Sequence, residues 1–169
     1  MRPAGRMEGF TLIEISIVIT LLAILSWVAY PSLNSINEIR LDAAARRVAS
    51  DLRYAQNRAI GSRTIHGVRF DVGAGRYIVY AGNSGAAIVN PADRGKNLAV
   101  TFAALAETRG VSIESAAFGA TPGVTFDFYG VPRDSAGVEL VSPGRVVLLF
   151  QGQRDTVEVA PQTGAIRVP

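Results

Sequence analysis

A single acid, Glu14, stands inside an otherwise uncharged stretch from Phe10 to Tyr30, with the small residue Gly9 immediately before it. An ionisable group in so apolar a run is costly and marks a functional position by default. What it can do there is pair with a cation or take up a proton; turnover chemistry needs more partners than the chain supplies. His66 is the only histidine and cysteine is absent, so a Ser-His-Asp relay would have to centre on His66. That residue lies in a strand pattern, where a lone histidine is structural as a rule. Gly82-Asn83-Ser84-Gly85 is not the Gly-x-Ser-x-Gly elbow, and Gly73-Ala74-Gly75 lacks the glycine spacing of a dinucleotide loop. Both read as turns. Metal sites built on nitrogen or sulfur ligands lack the residues. Oxygen ligands for calcium are available at Asn90, Asp93 and Asn97, or at Asp127 and Asp134, which is too sparse a set to expect the ion. No cofactor is expected, and the chain does not read as an enzyme.

The elements that position Gly9 and Glu14 follow from length and flanks. Phe10 to Tyr30 is 21 residues, and a helix of that length spans about 31 Å at 1.5 Å per residue. That matches the roughly 30 Å hydrocarbon core of a bilayer. A secretory signal would be shorter and followed by a small-residue cleavage site; here the small residue precedes the run. Arg2 and Arg6 lie before it, against a balanced Glu38, Arg40 and Asp42 beyond it. This asymmetry keeps the N-terminus cytoplasmic and sends the remainder across. Without cysteine, redox chemistry says nothing of the compartment.

Gly9-Phe10-Thr11-Leu12-Ile13-Glu14 resembles the class III leader junction of type IV pilins and type II secretion pseudopilins. In that family a prepilin peptidase cuts after the glycine and methylates the new terminus. The resemblance implies cleavage between Gly9 and Phe10, N-methylation of Phe10, and Glu14 as the acid at the fifth mature position. Glu8 departs from the family, whose leaders more often carry a basic residue there. The cut places Glu14 in the first helical turn, where the macrodipole favours negative charge. It also creates an α-ammonium at Phe10, which a neighbouring subunit's Glu14 would pair with in a bundle of such helices. The alternative for Glu14 is an acid that snorkels to the membrane surface and is neutralised there. Pro31, after Tyr30, removes a backbone hydrogen bond and kinks or ends the helix; pilin-like helices commonly carry a proline at this place.

Beyond Pro31, Leu41, Ala45, Val48, Leu52, Ala55 and Ala59 recur at spacings of four and three, one apolar stripe along a helix. Arg46, Arg47, Ser50, Arg53, Asn57 and Arg58 occupy the other side as a solvated face, Asp42 lies one turn before Arg46, and Gly61 offers a stop. From Ile65 the period becomes two. Residues 65–72 and 76–80 flank Gly73-Ala74-Gly75 as a hairpin, followed by a loop from Gly82 to Lys96. Further strands are expected at Leu98–Phe102, Val111–Ile113, Val124–Phe128 and Val138–Val141, in a hairpin of Val146–Phe150 with Asp155–Val159, and at Ile166–Val168. The organisation expected is a leader over 1–9, a transmembrane helix over 10–30, a periplasmic helical half over 31–62, and a β-rich globular domain over 63–169. A long helix laid on antiparallel sheet is an α+β fold.

Phe126-Asp127-Phe128-Tyr129-Gly130-Val131-Pro132 and Pro161-Gln162-Thr163-Gly164, after the long helix and hairpin, are similar to elements of the H-type minor pseudopilins (GspH/FimT-like). The resemblance implies a structural subunit of a type II secretion pseudopilus, rooted in the inner membrane with its C-terminal domain in the periplasm. Its implied partners are prepilin peptidase and other pseudopilins or pilins in a helical filament. The alternative is a minor pilin of a type IV pilus, for assembly initiation or DNA uptake. Nucleic acid is the less expected partner. The formal charge of +3 is small, and acids at Asp51, Asp71, Asp127, Asp134, Asp155 and Glu158 interleave with the arginines. Sixteen of the seventeen basic residues are arginine, which with so much Ala, Gly and Val reads as compositional bias. Arg167, in the short tail, is the most available contact if DNA is bound, and Arg154 is the arginine to remove together with it as a test.

Overall fold

The computed structural model describes residues 10–82 and 85–169, and the side chains of all of these except 28–37. The leader, with Gly9, therefore lies outside the described residues, as does the side chain of Pro31. Two compact units divide the chain, 1–36 and 37–169.

The first helix, α1, is Leu12–Ser62. It begins because Thr11 caps it: the Glu14 N–H donates to Thr11 Oγ1 at 3.3 Å and to the Thr11 carbonyl at 3.1 Å. Thr11-Leu12-Ile13-Glu14 is thus a Thr-x-x-Glu start signature, with an acid in the first turn. In the first unit the apolar side chains from Phe10 to Trp27 are exposed. The polar ones satisfy themselves locally: Thr20 Oγ1 donates to the Ser16 carbonyl at 2.8 Å and Ser26 Oγ to that of Leu22 at 2.7 Å. Among the described residues no helix is long and apolar enough to cross a membrane. The described side chains of this run stop at Trp27, short of its end at Tyr30.

In the second unit α1 buries Leu41, Ala44, Ala45, Val48, Ala49, Leu52, Ala55 and Ala59. Five of these eight are alanines, so this face of the helix has little relief. The strands are β1 (His66–Asp71), β2 (Arg76–Ala81), β3 (Ala86–Ala87), β4 (Ala99–Thr101), β5 (Ser112–Ala117), β6 (Gly123–Phe126), β7 (Pro132–Asp134), β8 (Gly144–Phe150), β9 (Gln153–Val159) and β10 (Ile166–Arg167). They form two antiparallel sheets. One runs β3-β2-β1-β6-β7 with β4 also on β2; the other runs β10-β9-β8-β5. A single core joins the helix to both, since Val68, Phe70, Val79, Val124 and Phe126 of the first sheet cluster with Ile113, Val146, Leu148, Val157 and Val159 of the second. Phe118, Phe70, Tyr77 and Phe102 form a chain of ring contacts at 5.5–5.9 Å through it.

The expected α+β architecture is present, with local differences. Gly61 does not stop the helix; α1 continues to Ser62, whose Oγ donates to the Arg58 carbonyl at 2.7 Å, and Arg63 takes the left-handed backbone at φ 54°. Residues 138–141 are not a strand but touch β7 through one bridge, Arg133 to Glu139. The reason is Asp134, whose buried carboxylate accepts the Ala136 and Val138 N–H groups at 2.9 Å and closes a turn there. Leu98–Phe102 shortens to β4 because Phe102–Ala104 winds into a 3-10 turn. β5 runs further than expected, to Ala117, with an irregularity between Ile113 and Ser115 opposite β8.

Candidate functional site

Three places carry the side chains of interest. The first is the N-terminal turn. Phe10 is exposed ahead of the cap, and Glu14 sits at the third helical position with its N–H held by Thr11.

The second is where the two C-terminal motifs meet α1. Gln56 Nε2 donates to the Gly130 carbonyl at 3.0 Å and to the Thr163 carbonyl at 3.2 Å, so one helix side chain ties the aromatic-glycine turn to the Thr-Gly turn. Gly130 has φ +82°, and a Cβ there would come within 2.9 Å of Ile60 Cδ1; only glycine turns the chain this close to the helix. The turn is rigid on its other side as well. Asp127 Oδ1 accepts the N–H groups of Tyr129 at 2.9 Å and Val131 at 3.0 Å. The pinned turn presents Phe128 and Tyr129 outward, with rings 4.3 Å apart and exposures of 49% and 76%.

The third is a groove of about 750 Å³ on the first sheet, beside that turn. Its floor follows from strand alternation. Val68, Val79 and Val124 point to the core, so Tyr80, Gly67, Thr125 and Arg133, which share one row of the register, lie on the opposite face. A Cβ on Gly67 would fall 2.8 Å from the Tyr80 ring, so this glycine lets the tyrosine lie across the sheet. Burial pushes the Tyr80 phenol up, opposed by a hydrogen bond with Ser135 and by the nearby Arg69 charge. Arg69 Cζ lies 5.6 Å from the Tyr80 ring centroid.

The helix-sheet seam holds a buried polar cluster. Tyr77 Oη donates to Asp51 Oδ2 at 2.7 Å, and Arg47 Nε donates to the same oxygen at 3.2 Å. Burial pushes the Tyr77 phenol well up, and the adjacent Asp51 carboxylate adds to the shift. For Arg47, burial works against the charge but Asp51 outweighs it and raises the guanidinium. This triad was not legible beforehand, because Asp51 falls between two members of the apolar stripe and reads as one more surface acid. His66 is buried, and its Nδ1 donates to the Thr64 carbonyl at 3.0 Å. Of the five residues considered for calcium, four have a side-chain oxygen committed to a turn: Asn90 to the Ala92 N–H, Asp93 to Gly95 and Lys96, and Asp127 and Asp134 as above. No cluster of three potential metal ligands occurs among the described residues.

The arginine face of α1 is only partly a solvated one. Arg46 pairs with Asp42 and Arg47 with Asp51, while Arg53 Nη2 reaches the Ile166 carbonyl at 2.9 Å and ties β10 to the helix. Arg154 is held by both carboxylate oxygens of Glu114 at 2.6 and 2.7 Å; that hydrogen-bonded pairing holds the Glu114 carboxyl below its usual range. Arg145 is paired with Glu158. Arg167 is exposed on the two-residue strand β10.

A capped apolar helix running into a helix-on-sheet domain defines a type IV pilin-like fold, and comparison with known proteins agrees. Residues 6–30 match the prokaryotic N-terminal methylation motif, a segment that takes in Gly9, Phe10 and Glu14. No curated protein matches the chain. Among solved structures, the minor pseudopilin EpsH from the type 2 secretion system of Vibrio cholerae is similar at 15% identity and a TM-score of 0.52, over 77% of this chain and 96% of that one. The type IV minor pilin FimU of Pseudomonas aeruginosa is similar at 17% identity and a TM-score of 0.50, over 76% of this chain and 87% of that one. At such identities the likeness is one of fold.

Proposed function

We propose that the chain is a minor pseudopilin, a structural subunit of the inner-membrane-rooted pseudopilus of a type II secretion system. The observation that carries this is the methylation motif over residues 6–30 on a chain whose fold is that of EpsH. Prepilin peptidase removes residues 1–9, cutting between Gly9 and Phe10, and methylates Phe10. Residues 10–30 anchor the subunit in the inner membrane, with Pro31 as the bend that lets the anchor adjust during packing, and 63–169 forms the periplasmic domain. Glu14 pairs with the α-ammonium of a neighbouring subunit, and the Thr11 cap supports this by fixing the turn from which Glu14 projects. The subunit does no chemistry of its own and needs neither cofactor nor nucleic acid; contacts that do not close into rings build the filament.

The second reading is a minor pilin of a type IV pilus, and the likeness to FimU favours it to a similar degree. Deleting the gene separates the two. Loss of extracellular enzymes with surface pili intact is the expected result. Loss of pili or DNA uptake with secretion intact establishes the second reading instead. A strain unchanged in both overturns the proposal.

A further inference from the structure

We infer that Trp27 is a lipid-boundary anchor. Its indole N–H donates to ester and phosphate oxygens of lipid at the periplasmic face of the membrane, and so sets how deep the N-terminal helix sits. The inference rests on the reading of residues 10–30 as a membrane anchor.

From Leu12 to Leu25 the large apolar side chains are 48–90% exposed, on every face of the helix, so lipid surrounds it on that reading. Hydrocarbon offers no acceptor, and a polar group there must find one within the helix or at the boundary. Two hydroxyls of the run do the first. Thr20 Oγ1 and Ser26 Oγ donate to the carbonyls four residues back, at 2.8 and 2.7 Å. Trp27 has no such route, because its single donor lies at the far edge of a rigid ring. It is 83% exposed and makes no hydrogen bond among the described residues. A ring with an apolar body and one polar tip settles at the headgroup level for this reason. The position along the chain agrees. Phe10 to Ser26 is 17 residues, about 26 Å of helix, at the short end of what spans a hydrocarbon core of roughly 30 Å. Local thinning of the bilayer takes up a mismatch of a few ångströms. A helical side chain also leans toward the N-terminus of its own helix. The Trp27 ring therefore reaches back toward the hydrocarbon, while Val28, Ala29 and Tyr30 lie in the headgroup layer. An aliphatic residue at position 27 would have no polar tip to hold at the boundary, and the helix would sink deeper.

Trp27 is the only tryptophan of the chain, so its fluorescence reads its depth directly. The full chain is reconstituted into vesicles of phosphatidylethanolamine and phosphatidylglycerol. These carry a phosphatidylcholine brominated either close to the headgroup or close to the end of the acyl chain. The expected result is stronger quenching of Trp27 by the shallow bromine. Two single-tryptophan variants test whether residue 27 sets the depth. Both carry Ile19→Trp, which moves the indole eight residues toward the N-terminus, about 12 Å along the helix. One adds Trp27→Tyr, which keeps a polar tip at the boundary, and should be quenched more by the deep bromine. The other adds Trp27→Leu, and its ratio of shallow to deep quenching should shift away from that of the tyrosine variant. Equal ratios in the two variants overturn the inference, as does stronger quenching of wild-type Trp27 by the deep bromine. Both of those outcomes leave the helix inserted and the anchor reading intact. Quenching by neither lipid puts the helix outside the bilayer and overturns the anchor reading together with the inference.

Discussion

Glu14 is one turn into α1, its N–H held by Thr11, with apolar side chains on every side of it along the helix. A carboxylate so placed gains from the helix N-terminus, but its main partner on the reading above is another subunit's terminal ammonium. Glu14→Ala should therefore leave membrane insertion and the folded domain unchanged and reduce incorporation into filaments. Removing one member of a buried pair costs about 3–5 kcal/mol, an upper range for a site near the membrane surface. Quantifying subunits per filament by crosslinking checks this, and wild-type incorporation would sink the pairing role. Gly9 acts earlier. Gly9→Val should block the cut, so that intact-mass analysis after co-expression with prepilin peptidase finds residues 1–9 retained, whereas the wild-type chain begins at N-methylated Phe10. A wild-type chain that keeps its leader under those conditions would overturn the processing. As candidates these residues were visible in the sequence because their signal is local: an acid where acids are costly, a small residue before it. Asp51 was not, since its significance depends on Tyr77, 26 residues away, arriving opposite it.

At the scale of elements, the helix-sheet seam is set by polar staples placed within an apolar stripe. Asp51→Ala leaves both Tyr77 and Arg47 without their acceptor, one of them buried, and should cost ~2–4 kcal/mol in urea unfolding of the full chain in detergent. Tyr77→Phe should cost less, since Asp51 keeps Arg47. The same pair predicts alkaline sensitivity. The folded Tyr77 phenol is raised above its ordinary value of 10.0, so the unfolded chain releases that proton first. The stabilisation is present below pH 10 and is lost as pH rises through the folded value. Tyr77→Phe should flatten the fall in unfolding midpoint above about pH 10; an unchanged slope would show that Tyr77 does not carry it. Gln56 is the other staple. Gln56→Ala leaves the Gly130 and Thr163 carbonyls without their donor and should cost ~1–2 kcal/mol, with proteolysis appearing first in the 127–131 turn. The aromatic-glycine and Thr-Gly motifs were visible in order along the chain, but their meeting on Gln56 was not, because nothing in local spacing brings residues 130 and 163 together. Strands with clear alternation, 66–71 and 76–81, were readable. Residues 138–141 were not, since a turn held by Asp134 overrides their β propensity.

For the whole molecule the decisive quantity is how many of the cations are unspent. Arg46, Arg47, Arg76, Arg133, Arg145, Arg154 and Lys96 all sit in ion pairs. The sequence shows the arginines and the acids but not that they meet residue by residue, so the pairing of Arg154 with Glu114, two strands away in the second sheet, is invisible in it. Most of these pairs are exposed and each contributes little to stability, yet together they leave the domain without a continuous basic track. Those with no carboxylate partner among the described residues, such as Arg58, Arg94 and Arg167, would each add a phosphate contact only if they faced one strand together. Duplex or single-stranded DNA should accordingly bind the full chain weakly at low salt and not detectably near 0.15 M, where screening acts within about 8 Å. Fluorescence anisotropy with a labelled oligonucleotide across a salt series measures this directly. A micromolar complex that persists at 0.15 M and is lost on Arg154→Ala with Arg167→Ala would mean that DNA competes Arg154 away from Glu114. In that case the minor-pilin reading, with DNA uptake as its purpose, would replace the secretion one.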